Sequence, residues 1–199
     1  MTGPTLYYVR HGLTDWNIEG RLQGQRDVAL NERGRVQAAA CGEILRDLCA
    51  SDGREPQSFE YASSPLVRAR ATMDIIRATL GLPPDGYGVD DRLGEISFGE
   101  WEGLTYLDVL RRDKDVVARR ESNKWRFLPP SGESYQQLAV RVGAWYQSIA
   151  RDTVVTAHGG TARALIGLLG VVPPEQAAHY PIDQGVVYVF AGDRLTRYA

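Results

Sequence analysis

The chain has 199 residues, of which 43% are hydrophobic and 24% are charged, and its formal net charge is −2. This composition is typical of a folded globular domain rather than of a disordered chain. A net charge near zero gives no bulk attraction to nucleic acid or to an anionic membrane, and no apolar run approaches the roughly 20 residues of a membrane span. We therefore expect neither partner, and local basic side chains must bind any anionic ligand.

The first predicted elements are a strand and a long helix. An apolar run over about residues 5–10 predicts the strand, and a loop rich in Gly and Gln follows it. Small and apolar residues at helical spacing predict a helix over about residues 32–50. Asn31 precedes this helix and is a residue type typical of the N-cap position.

A second strand and helix follow. The run FEYAS is rich in strand-forming residues. Ser64 and Pro65 come next, and proline suits the first helical turn, so we expect a helix over about residues 65–80.

Residues 101–130 differ from the rest of the chain. They contain a charge-rich helical stretch, RRDKDVVARRES, and then an aromatic and proline run, NKWRFLPPSGES. We expect an excursion over the sheet edge that carries the site. A solvated helix followed by a surface loop is an equally good interpretation of the same pattern.

The remaining pattern again alternates helices and strands, which is typical of an α/β protein. We expect a three-layer sandwich, in which helices cover both faces of a central, mostly parallel sheet with one antiparallel edge strand. A single domain then spans residues 1–199. The last predicted elements are a helix over about 133–150, a strand at TVVTA, a helix at 160–169, and the strands GVVYVFA and RLTRYA joined by a turn at Gly192 and Asp193.

The two cysteines indicate a reducing compartment. Cys41 and Cys49 lie in one predicted helix, where eight residues at 1.5 Å per residue separate them by about 12 Å, too far for a disulfide. We expect reduced thiols and a cytoplasmic protein. The start of the chain, MTGPTLYYV, also lacks the basic and apolar regions of a signal peptide.

Two of the three histidines directly follow strand-like runs. LYYVR ends at Arg10 and leads to His11, and TVVTA leads to His158. In open α/β sheets, ligands bind outside the carboxyl ends of the strands. Two imidazoles at that edge, one beside an arginine, indicate an anionic substrate and a histidine with a chemical role. The alternative is that both are ordinary histidines in turns.

Other segments supply groups suited to a phosphate monoester. Planar guanidinium groups such as that of Arg68 match phosphate oxygens in bidentate fashion, and the helix after His158 adds backbone N–H groups and a favourable dipole. The sequence has neither a GxSxG nucleophile motif nor a cysteine in a phosphate loop. His11 can form a covalent phosphoryl intermediate if it is neutral, and the adjacent Arg10 disfavours the imidazolium. Glu95 is the preferred proton donor to the leaving group, with Glu100 and Glu102 as competitors.

Five segments, in this order, together resemble the histidine phosphatase superfamily, the phosphoglycerate mutase-like group. They are RHG with the following Thr14, Trp16 and Asn17; RLQGQRDVALNERGRVQA; SSPLVRARAT; GEISFGEWEG; and TAHGG. Where the family often has Pro-Leu after the loop aspartate, this chain has Val28, Ala29 and Leu30 after Asp27. This departure changes loop stiffness rather than a charged group.

The resemblance implies a role for each matching residue. His11 becomes phosphorylated and Glu95 acts as acid and then as base, while no metal and no cofactor is implied. The catalytic set is then His11, Glu95, Arg10, Arg68 and His158, and the substrate-binding set is Arg10, Asn17, Gln23, Gly24, Arg68, His158 and Gly159.

The resemblance leaves three functions open. We favour a phosphomonoesterase of the small phosphatase branch, because the stretch after Glu95 lacks the basic pattern by which the mutases hold a second anionic group. The alternatives are mutase-type phosphoryl transfer and a non-catalytic module that binds phosphorylated ligands. The partner is a small phosphomonoester, and a homodimer remains open. Seven basic residues either contact a second charge on the substrate or form a solvated face: Arg111, Arg112, Lys114, Arg119, Arg120, Lys124 and Arg126.

Overall fold

The computed structural model describes residues 3–112 and 114–199, and within these it contains six strands and eight α-helices. Residues 1, 2 and 113 of the predicted domain lie outside the described residues. The strands are β1 (Leu6–Arg10), β2 (Glu60–Ser63), β3 (Gly88–Val89), β4 (Thr153–Ala157), β5 (Val187–Ala191) and β6 (Arg194–Tyr198). The helices are α1 (Asp15–Ile18), α2 (Glu32–Ser51), α3 (Val67–Thr79), α4 (Tyr106–Arg112), α5 (Lys114–Ser122), α6 (Tyr135–Ser148), α7 (Gly159–Leu168) and α8 (Pro174–Ala177).

The strands form one sheet in the order β3-β2-β4-β1-β5-β6. The first four strands in this order pair in parallel, whereas β5 runs antiparallel to both β1 and β6. The predicted α/β class with a mostly parallel sheet is confirmed. We expected one antiparallel strand at the edge; instead β5, next to the edge, pairs antiparallel with both β1 and the edge strand β6.

Alternating side chains of β1 fill the two layers on either side of the sheet. Tyr7 and Val9 pack in one cluster with residues of α2 and α3, including Cys41 and Met73. Leu6 and Tyr8 point to the other face and pack with residues of α6, α7 and α8. Both faces of β1 are therefore buried, which is typical of central strands in a three-layer α/β fold.

The predicted start of α2 is confirmed, and that of α3 is wrong. Asn31 is the N-cap of α2, and its side chain accepts the N–H of Gly34 at 3.0 Å. The third helix begins at Val67 rather than Pro65, because the hydroxyl of Ser64 accepts the N–H of Leu66 and holds these residues outside the helix.

Residues 101–130 contain α4, α5 and a small hydrophobic cluster. Trp101, Val109, Val116 and Val117 are its buried members, and Leu22 and Phe98 pack against it. Leu22 and Phe98 also line a cavity at the carboxyl end of β1, so the cluster packs against the wall of that cavity.

The two cysteines are free and buried. None of the helices in the described part of the chain has both the length and the apolar character that a membrane span requires.

Candidate active site

A cavity of about 150 Å³ opens at the carboxyl end of β1. Eight of the nine predicted site residues line it. The ninth, His158, is fully buried next to it, with its ring centroid 5.2 Å from that of His11. The lining residues are Arg10, His11, Asn17, Arg21, Leu22, Gln23, Gly24, Arg68, Glu95, Phe98, Gly159 and Arg163.

The register of the parallel strands brings the two histidines together. Arg10 lies opposite Ala157 at the ends of β1 and β4, so the next residues along the two strands are His11 and His158. The N–H of His11 donates to the carbonyl of Ala157 at 2.9 Å and extends the ladder by one bond. The sequence could show that each histidine ends a strand, and the pairing of these two strands places them side by side.

The His11 imidazole presents its Nε2 lone pair to the site. Its Nδ1 lies 2.8 Å from the carbonyl oxygen of Gly12, and because a carbonyl can only accept, Nδ1 carries the proton. Nε2 is then bare, and the Nε–H of Arg68 donates to it at 3.3 Å. Burial holds the pKa of His11 well below its ordinary value of 6.5, and Arg68 and Arg10 lower it further. The sequence suggested that Arg10 lowers the pKa of His11, whereas in the structure burial lowers this pKa more than Arg10 does.

Arg68 is fixed from behind by backbone carbonyl groups. It is fully buried, and its Nη1 and Nη2 donate to the carbonyl groups of Arg26 and Gly24, each at 2.7 Å. Gly24 has a φ of +51°, and a Cβ there would lie 2.1 Å from an oxygen of Glu102. Glycine therefore suits position 24, because other residues rarely adopt this φ and a Cβ there would displace the Glu102 carboxylate.

Arg10 retains an unused donor. Its Nη1 donates to the carbonyl of Ile182 at 2.6 Å, whereas its buried Nε has no hydrogen-bond partner among the described residues. A buried charged donor without a partner is costly, so this Nε–H is available to donate to an anion in the cavity.

His158 is held by buried hydroxyl groups. Its Nε2 lies 2.7 Å from the hydroxyl oxygen of Ser64, and its backbone N–H donates to Tyr8 and Thr161. Its Nδ1 is buried and has no partner in the described part of the chain. Burial, followed by Arg68, lowers the pKa of His158 well below 6.5, so the ring is neutral near pH 7.

The Glu95 carboxylate lies at the N-terminus of α7. Its Oε1 accepts the N–H of Ile96 at 2.9 Å and that of Gly160 at 3.0 Å. A Cβ at position 160 would lie 2.2 Å from the same oxygen, so glycine leaves the space that the carboxylate occupies. These bonds hold Oε1 and leave Oε2 with a single, longer contact of 3.3 Å to the Gly160 N–H.

The two competing glutamates lie elsewhere. The side chain of Glu102 is 9% exposed, and its Oε1 accepts the N–H groups of Gln25 and Phe98, which orders the loops. Glu100 is exposed, and Ser131 donates to it at 3.4 Å. Of the three, only Glu95 lines the cavity.

Two further arginines at the cavity were not predicted. Arg163 lies one helical turn after Gly159, a spacing that places both on one face of α7 and could have identified it. Its Nε donates to the carbonyl of Tyr180. Arg21 donates to the carbonyl of Gly103 at 2.8 Å, a contact between distant loops that no local pattern indicates.

The two polar residues of the predicted binding set have different surroundings. The amide oxygen of Asn17 accepts from Thr14 and from the side chain of Gln184, so the amide is held at the cavity wall. Gln23 is buried, and its side-chain oxygen has no partner within the described ranges.

No metal-binding cluster is present in the described residues: they contain no group of three or more His, Cys, Asp or Glu side chains that could hold a metal ion. The cavity is lined instead by four arginines, by His11, by Gly159 at the N-terminus of α7 and by one carboxylate, that of Glu95. Guanidinium and N–H groups of this kind bind an anion with several oxygens.

The chain matches known proteins along nearly its whole length. The sequence profile of the histidine phosphatase superfamily, branch 1, matches residues 6–196. The chain is 32% identical over 192 residues to 2,3-bisphosphoglycerate-dependent phosphoglycerate mutase 2 of Gloeobacter violaceus, which covers 93% of this chain and 84% of the mutase.

Two similar solved structures are phosphatases. The α-ribazole phosphatase from Shigella flexneri is 27% identical and superposes with a TM-score of 0.76 over 96% of this chain and 95% of that one. A mycobacterial glucosyl-3-phosphoglycerate phosphatase in complex with VO3 is 29% identical, with a TM-score of 0.77 over 94% of this chain and 92% of that one.

Proposed function

Because the chain belongs to branch 1 of the histidine phosphatase superfamily, we propose that it hydrolyses a small phosphomonoester without a metal, through a phosphohistidine at His11. The observation that carries this proposal is the bare Nε2 of His11, which lies at the cavity beside Arg68 while Nδ1 is committed to Gly12. A neutral imidazole with one unprotonated ring nitrogen is the form of histidine that attacks phosphorus.

In the first half of the reaction, the Nε2 lone pair forms a bond to phosphorus while the ester P–O bond breaks. Arg10, Arg68 and His158 bind the phosphoryl oxygens and stabilise the charge on them. The Glu95 carboxyl group gives its proton to the leaving alkoxide.

In the second half, the Glu95 carboxylate takes a proton from water. The oxygen of that water bonds to phosphorus while the P–N bond to His11 breaks. Inorganic phosphate leaves, and both side chains return to their starting forms.

Mutase activity is the second candidate, because a relative at 32% identity is named a phosphoglycerate mutase. A mutase returns the phosphoryl group to a second substrate molecule, so it must hold that molecule and exclude water. The phosphatase is favoured because the stretch after Glu95 lacks the basic pattern of the mutases, and because similar solved structures bear phosphatase names.

A module that only binds phosphorylated ligands is the third candidate. Glu95 argues against it, because a carboxylate that lines an anion site weakens binding unless it handles a proton. We also propose that the enzyme acts in the cytoplasm, where Cys41 and Cys49 stay unpaired.

The test is an assay of a panel of phosphomonoesters in EDTA, together with an attempt to trap the intermediate. We expect phosphate release, and a protein-bound label from radioactive substrate that is acid-labile and base-stable. His11→Ala removes both, whereas His179→Ala, which changes an exposed histidine, keeps both. Hydrolysis by His11→Ala would overturn the mechanism, transfer to phosphoglycerate without phosphate release would favour the mutase, and loss of activity in EDTA would refute metal independence.

A further inference from the structure

The hydroxyl of Ser64 lies behind the buried His158 ring. Its oxygen is 2.7 Å from Nε2 of the imidazole, and both residues have no exposed surface. The same oxygen accepts the N–H of Leu66 at 3.3 Å. Ser64 thus links the start of α3, where Arg68 is located, to the second histidine of the site.

The direction of this bond follows from the available acceptors. With one lone pair given to Leu66, the Ser64 hydroxyl hydrogen has Nε2 of His158 as its acceptor among the described residues. If Nε2 carried the proton instead, the hydroxyl hydrogen would be buried without an acceptor, which is costly. The bond therefore runs from Ser64 to His158.

This direction decides which ring nitrogen carries the proton. In a neutral imidazole one nitrogen is a donor and the other an acceptor, and the bond at one nitrogen sets the role of the other. When Nε2 accepts from Ser64, Nδ1 carries the proton. Nδ1 is the buried nitrogen of His158 that lacks a partner in the described part of the chain, and phosphoryl oxygens can only accept.

We propose that Ser64 is a positioning residue that keeps the proton of His158 on Nδ1, so that this ring donates a hydrogen bond to the phosphoryl group. The donation to phosphoryl rests on the proposed function, whereas the position of the proton does not. His11 also carries its proton on Nδ1, but there the Nδ1–H donates to the carbonyl of Gly12. The unprotonated Nε2 of His11 faces the site as the nucleophile, whereas His158 would present a donor.

The proton position can be measured on the unmodified protein. The chain has three histidines, so the long-range ¹H–¹⁵N spectrum of its imidazoles is simple to assign. We expect His158 near pH 7 to show a protonated Nδ1 and a bare Nε2, and inorganic phosphate to shift the Nδ1 signal. A protonated Nε2 in the unmodified protein would overturn the proposal, whether or not the protein hydrolyses esters.

Variants then test the role of the hydroxyl. Ser64→Ala removes the donor, so both tautomers of His158 become populated, and we expect a loss of about tenfold in kcat/KM and in phosphate affinity. Ser64→Thr keeps a hydroxyl and restores both. Ser63→Ala is the matched control, because the Ser63 hydroxyl bonds to the Ser64 carbonyl and Thr156 rather than to His158. An unchanged tautomer in folded Ser64→Ala would overturn the proposal.

Discussion

The backbone N–H of Gly160 donates to Oε1 of Glu95 at 3.0 Å. A Cβ at position 160 would lie only 2.2 Å from that oxygen and 2.9 Å from Cγ2 of Ile96. The carboxylate can therefore take this position only because residue 160 has no side chain.

Gly160→Ala tests whether this arrangement positions the acid. The added methyl group displaces the flexible end of Glu95, while Gly160 has no positive φ that would make alanine strained. A displacement of about 1 Å can reduce a rate by about 100-fold. In the first turnover, before water releases phosphate, we expect a loss of that order for an alkyl phosphate and a much smaller loss for nitrophenyl phosphate. Equal losses on both substrates would instead indicate damage to the phosphoryl site.

Glu95→Gln tests the proton donor directly. The amide keeps the size of the side chain but cannot give a proton, so we expect the rate for an alkyl phosphate to fall by about 10²–10⁴-fold. Nitrophenolate leaves without a proton, so its release should change little. The control is Glu100→Gln, at an exposed carboxylate outside the cavity lining, which should leave both rates unchanged. Because Glu95 also acts as the base when water releases phosphate, the two release rates are compared in the first turnover, before dephosphorylation. A parallel fall of these two first-turnover rates would remove Glu95 from the acid role.

The sequence predicts those parts of the site that depend on residues close together along the chain. The strand ends at His11 and His158 and the N-cap at Asn31 are visible because they depend on local patterns. The start of α3 was wrong by two residues, because proline favoured an early start whereas the bond between Ser64 and Leu66 delays it. Such side chain to backbone bonds compete with helix formation.

The contacts that depend on distant segments were not predictable. β3 is two residues long and exists because it pairs with β2, and Arg21 reaches the cavity through a loop that bonds to Gly103. No period or motif marks either of them. The resemblance to the family supplied the predicted roles of Gln23 and Gly24, whereas their geometry explains why glycine suits position 24.

Arg68→Lys tests the phosphoryl clamp. Lysine keeps the positive charge of Arg68 but lacks its planar guanidinium group. That group donates simultaneously to His11 Nε2 and to the carbonyl groups of Arg26 and Gly24. We expect kcat/KM to fall by about 10²–10³-fold, the range found when one donor to a developing charge is removed. Inhibition by vanadate should weaken in the same variant. Arg70→Lys, at an exposed arginine on the same helix, is the control, and a similar loss there would show that the effect is on α3 rather than on the site.

The buried histidines make folding stability depend on pH. Burial, together with Arg68 and Arg10, places the pKa of His11 and of His158 well below the ordinary value of 6.5 in the folded protein. In the unfolded chain both return to about 6.5, so below that pH the unfolded state binds more protons than the folded state. The stabilisation is therefore present above pH 6.5 and is lost as the pH falls toward the folded pKa.

Chemical denaturation at about pH 7.5 and about pH 5.5 measures this loss, which is up to about 1.4 kcal/mol for each histidine over that interval. We expect His11→Gln to reduce the difference in unfolding free energy between the two pH values, because glutamine does not titrate. His179→Gln should reduce it much less, since His179 is exposed and its pKa is lowered in a setting where solvent screens the charge. If His11→Gln and the unmodified protein lose the same free energy on acidification, His11 is not held neutral by its surroundings, and the state required of the nucleophile is not the one that the fold provides.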